Sequence, residues 1–96
     1  MSLIIQIPTA FRNATGGEAV VELELSGQTT VKHVLERVAE RHPELPKLVL
    51  QSDGNLQRHV NIFVNGLDVR FCEGLATPVS NGDEIQIVPA IAGGIS

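Results

Sequence analysis

The residues best placed to do chemistry are the last few of the chain. Gly93 and Gly94 come directly after a hydrophobic run, Ile85, Ile87 and Val88, that reads as a final strand. A glycine pair packs no side chains and loses more conformational freedom on ordering than any other dipeptide. Such a segment suits a tail threaded into a narrow site where its carboxyl group reacts. Ile95 and Ser96 complicate this, because they place the Gly94 carboxyl group in a peptide bond. On the tail alone, a frayed terminus fits as well as a threaded one.

The other reactive side chains carry weaker signals. His33, His42 and His59 match no usual metal-ligand spacing, and two of them lie on or beside a helix face that should be solvated; no metal site is expected. Cys72 has no Cys-x-x-Cys partner, which favours a small, partly buried structural residue over a nucleophile. Glu22 with Glu24 and Asp83 with Glu84 read as solvated strand and turn residues. Gly16-Gly17 and Asn81-Gly82 are turn chemistry, and no glycine pattern resembles a phosphate loop. No self-contained enzyme is expected. Phe63 falls on the strand face opposite Ile62 and Val64, so it points to the sheet face away from the helix, either as a docking surface or under a covering loop. Phe71 is a second aromatic candidate for such a surface, and Phe11 lies in a turn-rich stretch.

Composition narrows the class. The 96 residues suit one small domain, which buries roughly 60–65% of its unfolded surface, enough for a core but not for a large enclosed active site. The apolar share is 43%, mostly Val, Ile and Leu, with three Phe and no Trp or Tyr, which favours an aliphatic core containing β-structure. Net charge is −4 with scattered cations, so no basic stripe exists to hold a phosphate backbone, and nucleic acid is not an expected partner. The acidity would steer the protein toward a basic partner or simply keep it soluble. One cysteine fits a reducing compartment. With no signal peptide and no apolar run near the roughly 20 residues that span a bilayer, a cytoplasmic protein without membrane contact is expected.

The elements that must position the tail follow from periodicity. Ser2 to Ile7 is a strand ended by Pro8, and Glu18 to Leu25 alternates, with Val21, Leu23 and Leu25 on one face. The period changes at Val31, Val34, Leu35 and Val38, the stripe of an amphipathic helix capped by Thr29 or Thr30 and stopped at Pro43. Residues 44–56 give a short helical turn, then a loop. Val60 to Val64, Asn65-Gly66 and Leu67 to Phe71 read as a hairpin, and Asn81-Gly82-Asp83 turns the chain into a strand over Glu84 to Val88. Two hairpins around one helix make a two-layer α+β domain, the β-grasp, with a mixed sheet and one main helix packed on one face. There the last strand lies centrally beside the first. Residues 1–90 form the domain, and 91–96 project as a flexible C-terminal tail carrying Gly93-Gly94.

Three stretches carry a family likeness: Ile7-Pro8-Thr9; Val60 to Gly66 with Asp68-Val69-Arg70-Phe71; and Asn81-Gly82-Asp83-Glu84-Ile85 through Pro89-Ala90-Ile91-Ala92-Gly93-Gly94. They resemble the ubiquitin-like sulfur carrier proteins of the ThiS/MoaD superfamily, and most of all its CysO type. The resemblance implies that a MoeB/ThiF-like enzyme adenylates Gly94 with ATP and that a sulfur donor converts the adenylate to a thiocarboxylate. It also implies transfer of that sulfur by a PLP-dependent cysteine or homocysteine synthase, and release by a JAMM-type metalloprotease. Ala92, Gly93, Gly94, Phe63 and Phe71 would contact partners, and the chain itself would bind no cofactor. Ile95-Ser96 departs from the pattern and implies a precursor cut between Gly94 and Ile95. A molybdopterin or thiamin carrier, or a ubiquitin-like protein modifier, would use the same tail.

Overall fold

The computed structural model describes residues 2–89. Strand β1 (Leu3–Gln6) pairs antiparallel with β2 (Val20–Leu23), Ile5 opposite Val21. Their alternation sends Leu3, Ile5, Val21 and Leu23 into the core, as the sequence pattern requires. The long connection contains a 3₁₀ helix, Thr9–Thr15, where the sequence suggested only turns. Phe11 enters the core from it, and the buried Thr15 hydroxyl donates to the Glu18 carbonyl at 2.8 Å. Burying one aromatic side chain, worth about 2–3 kcal/mol, outweighs the poor geometry of a short 3₁₀ turn.

Strand β3 (Thr29–Thr30) leads into α1 (Val31–Arg41), whose buried stripe is Val31, Val34, Leu35 and Val38. Thr30 is the N-cap: its hydroxyl oxygen accepts the His33 backbone N–H at 3.2 Å. Helix α2 (Glu44–Val49) adds Leu45 and Val49 to the core. Strands β4 (Val60–Val64) and β5 (Leu67–Asp68) follow, then β6 (Pro78–Val79), which pairs with β3 in a separate ribbon, and β7 (Glu84–Pro89).

The main sheet runs β2-β1-β7-β4-β5, so the last strand is central. It lies parallel to β1 and antiparallel to β4. One sheet face, with Leu3, Ile5, Ile62, Ile85 and Ile87, shares a single cluster with the α1 stripe, the two layers of a β-grasp. The other face carries Ile4, Gln6, Asn61, Phe63, Gln86 and Val88. Arg41 on α1 donates to the Glu22 carbonyl at 3.5 Å, which helps cover the open edge of β2.

Three local expectations change. The strand predicted over Leu67 to Phe71 stops at Asp68 and becomes a 3₁₀ turn, Val69–Phe71. The Asp68 carboxylate accepts the Arg70 N–H at 2.8 Å and bends the chain so that Val69 is fully buried. Cys72, at the end of that turn, is exposed rather than partly buried. His42 is not solvated: its side chain is 16% exposed, with Nε2 3.4 Å from Glu18 Oε1, because Pro43 stops α1 and leaves His42 as the C-cap.

Candidate functional site at the end of the last strand

The start of β7 is tied down from three sides. Gly82 takes φ +95°, a left-handed conformation that glycine adopts without strain, and its N–H donates to the Ser2 carbonyl at 3.0 Å. Asn81 bonds Leu25 twice: Oδ1 accepts its N–H at 2.9 Å, and Nδ2 donates to its carbonyl at 2.8 Å. The Asp83 carboxylate accepts the Ser80 N–H at 2.9 Å and the Asn65 side-chain amide at 3.1 Å. Ile4 N–H donates to the Asp83 carbonyl at 3.1 Å. The Asn-Gly-Asp-Glu turn is therefore a clasp that joins β1, the segment just after β2 and the β4–β5 hairpin.

From that clasp the strand runs through the middle of the sheet and ends with Pro89 opposite Val60. Proline lacks the donor a ladder needs, which suits a strand position at the sheet rim. Ala92, Gly93, Gly94 and Ile95, singled out in the sequence, lie outside the described residues.

The rim itself is well defined. A shallow groove of about 290 Å³ runs beside the strand end between Gln6, Pro8 and Arg12 on one side and Gln86, Val88 and Pro89 on the other. Arg12 Nε donates to the Ile7 carbonyl at 3.1 Å. Across β7, Arg70 Nη2 donates to the Gln57 carbonyl at 2.8 Å, and Nη1 bonds the Asn61 side-chain oxygen. Asn61 pairs with Val88, so Arg70 stands beside the last residues of the strand. Sequence reasoning gave neither arginine a role, although Arg70 lies in one of the stretches that carry the family likeness. The two are far apart in the chain, and only the sheet order brings both to the end of β7.

Phe63 occupies the open sheet face, half-buried, in register with Gln86 and Asp68. Phe71 lies outside the sheet on the turn after β5 and is 84% exposed. Among the described residues no group of three His, Cys, Asp or Glu side chains is arranged to hold a metal ion, and no helix is long and apolar enough to cross a membrane. His33 and His59 are exposed and separate from His42.

What this arrangement can do is present the segment that follows Pro89. A profile of the ThiS family matches residues 5–94, from β1 through the glycine pair. This chain belongs to the ThiS family. Sulfur carrier protein CysO of Mycobacterium tuberculosis (strain ATCC 25618 / H37Rv) is 40% identical over 96 residues, covering 98% of this chain and all of that protein. Among solved structures, one determined for a BexX/CysO complex of Amycolatopsis orientalis matches with a TM-score of 0.86 at 38% identity, covering 96% of this chain and 99% of its own. SAMP1 of Haloferax volcanii matches with a TM-score of 0.81 at 26% identity, covering 98% of this chain and 100% of its own. These neighbours share the β-grasp layout.

Proposed function

We propose that this protein is a sulfur carrier whose Gly94 carboxylate is adenylated and converted to a thiocarboxylate, in the service of cysteine or homocysteine synthesis. The observation that carries the reading is the central β7, anchored at one end and reaching the sheet rim at Pro89, five residues before Gly94, in a chain 40% identical to a CysO carrier.

The chemistry balances as two displacements on partner enzymes. The Gly94 carboxylate oxygen attacks the α-phosphorus of ATP and pyrophosphate leaves, giving an acyl-adenylate. A sulfide-level donor then attacks the acyl carbon, AMP leaves with the C–O bond electrons, and the C-terminus becomes a thiocarboxylate. A free carboxylate is a poor electrophile, and AMP is a good leaving group. The bare backbone of Gly93 and Gly94 allows close approach inside a channel that a β-carbon would block. The chain contributes the reacting carbonyl and its presentation. The MoeB/ThiF-like partner contributes ATP binding and catalysis, and a PLP-dependent synthase accepts the sulfur.

With Ile95-Ser96 attached no free carboxylate exists at Gly94, so a JAMM-type metalloprotease cut between Gly94 and Ile95 precedes activation. The cycle belongs, on this reading, to a reducing cytoplasm, which would keep the exposed Cys72 thiol and a thiocarboxylate intact.

The test is direct. The chain ending at Gly94 is incubated with its adenylating enzyme, ATP and sulfide, and its intact mass is recorded. A gain equal to sulfur minus oxygen is expected, and the full 96-residue chain should show none. A Gly94-ended chain that never changes mass or exchanges pyrophosphate would sink the reading. A second reading, a protein modifier, is favoured by the likeness to SAMP1. It predicts Gly94 in isopeptide linkage to lysine, which peptide mapping of conjugates would detect.

A further inference from the structure

Charge is distributed along the sheet in a way the net value hides. At the start of β7 stand Glu22, Glu24, Asp83 and Glu84, around the clasp. At its end stand Arg12 on the β1 side and Arg70 on the β4 side, with Arg58 in the turn that the Val60 N–H closes onto the Gln57 carbonyl at 3.2 Å. Among the described residues no carboxylate oxygen lies within 4.0 Å of these three guanidinium groups; the close side-chain contacts of carboxylates with basic groups involve His33, His42 and Lys47 instead. Glu18, the acid near the β1 side of the rim, is turned toward His42.

Arg12 and Arg70 are also held in place. Each guanidinium is bonded to neutral oxygens of its own chain, so part of its rotamer freedom is already lost while no carboxylate pairs with it among the described residues. A guanidinium fixed in this way has less ordering entropy to lose when a carboxylate arrives.

We infer that Arg12, Arg70 and Arg58 form a basic collar around the tail exit, and that it docks against carboxylates bordering the tail channel of the adenylating partner. This rests on the sulfur-carrier reading above. The occupant follows from charge. In a chain of net −4, three of the seven cationic side chains gather at this end, and an acidic channel mouth favours the orientation that leads with them. The collar thus selects tail-first approach, and the acidic clasp end points away. The sequence-level expectation of a basic partner is reversed at the one end that delivers the tail.

The experiment measures pyrophosphate exchange by the adenylating enzyme with the Gly94-ended chain as substrate. Wild type is compared with Arg12→Gln, Arg70→Gln, Arg58→Gln and Arg70→Lys. Lys47→Gln removes an equal charge from exposed α2 and serves as the control. For Arg12→Gln and Arg70→Gln, KM should rise about two- to fivefold with kcat unchanged, the size of an exposed ion pair. That rise should fade between about 0.1 M and about 1 M salt, as the screening length falls from about 10 Å to about 3 Å. Arg70→Lys should recover part of the loss, and Lys47→Gln should match wild type.

A KM that rises equally at both salt concentrations would mean a structural role and would overturn the collar. So would unchanged KM in all three Gln variants. If Arg70→Gln fails to fold, Arg12→Gln and Arg58→Gln decide in its place. Absence of exchange by wild type would instead defeat the carrier reading, and the collar with it.

Discussion

Asn65 and Asp83 hold each other across the base of two turns: the Asn65 side-chain amide donates to Asp83 Oδ1 at 3.1 Å, and its Oδ1 accepts the Glu84 N–H at 3.0 Å. Asn65 also takes φ +51°, a left-handed conformation that asparagine tolerates better than most residues. The pair locks the β4–β5 hairpin to the start of β7, whose other end is Pro89. Asn65→Ala removes both bonds and adds strain, and is expected to destabilise the fold by about 1–3 kcal/mol. Urea unfolding would show this as a lower midpoint at constant slope. Asn65→Gly, which keeps the turn and loses the bonds, should fall between Ala and wild type.

The cap of α1 gives a smaller, cleaner effect. Thr30→Ala removes the oxygen that accepts the His33 N–H and should cost about 1 kcal/mol. Thr30→Ser, which keeps that oxygen, should stay close to wild type in the same unfolding measurement. A loss of equal size in both variants would argue that the threonine methyl, and not the cap, matters.

The parts of the fold legible in the sequence are those whose residues report their own environment. The stripe Val31, Val34, Leu35 and Val38 marks one helix face, and Val21, Leu23 and Leu25 mark one strand face; all seven are buried. Asn65-Gly66 named its own hairpin turn. The 3₁₀ helix over Thr9–Thr15 was not legible, because its stability comes from the distant core that receives Phe11. The short ribbon Thr29–Thr30 with Pro78–Val79 was missed because two-residue strands have no period to read. Asp68 ended β5 early through a side-chain bond to Arg70 N–H that no alternation pattern encodes. At the candidate site the glycine pair could be read from the chain, whereas Arg12 and Arg70 come to flank the end of β7 only through the order β1-β7-β4.

Phe63, on the open sheet face, and Phe71, on the turn after β5, should separate stability from docking. Phe71 is 84% exposed, so Phe71→Ala should change stability by no more than about 0.5 kcal/mol. Phe63 is half-buried beside Gln86, so Phe63→Ala should lower stability by about 1–2 kcal/mol. With a partner present, both variants should raise the KM of adenylation, and the Phe71 effect should survive at high salt because apolar contact is not screened. Thermal unfolding and exchange kinetics on the same samples read the two effects apart.

The tail makes the sharpest demand. Gly94→Val leaves every described contact untouched, so the unfolding midpoint should match wild type within error. Its effect belongs to the partner's channel, where a branched side chain stands at the reacting carbonyl. Pyrophosphate exchange should fall at least about a hundredfold, since a displacement of about 1 Å at a reacting centre is enough for that. Gly93→Val should fall less, one residue further from the reaction. Retention of full exchange by Gly94→Val at unchanged stability would show that the tail is not threaded at all. The protein would then work through its sheet face alone.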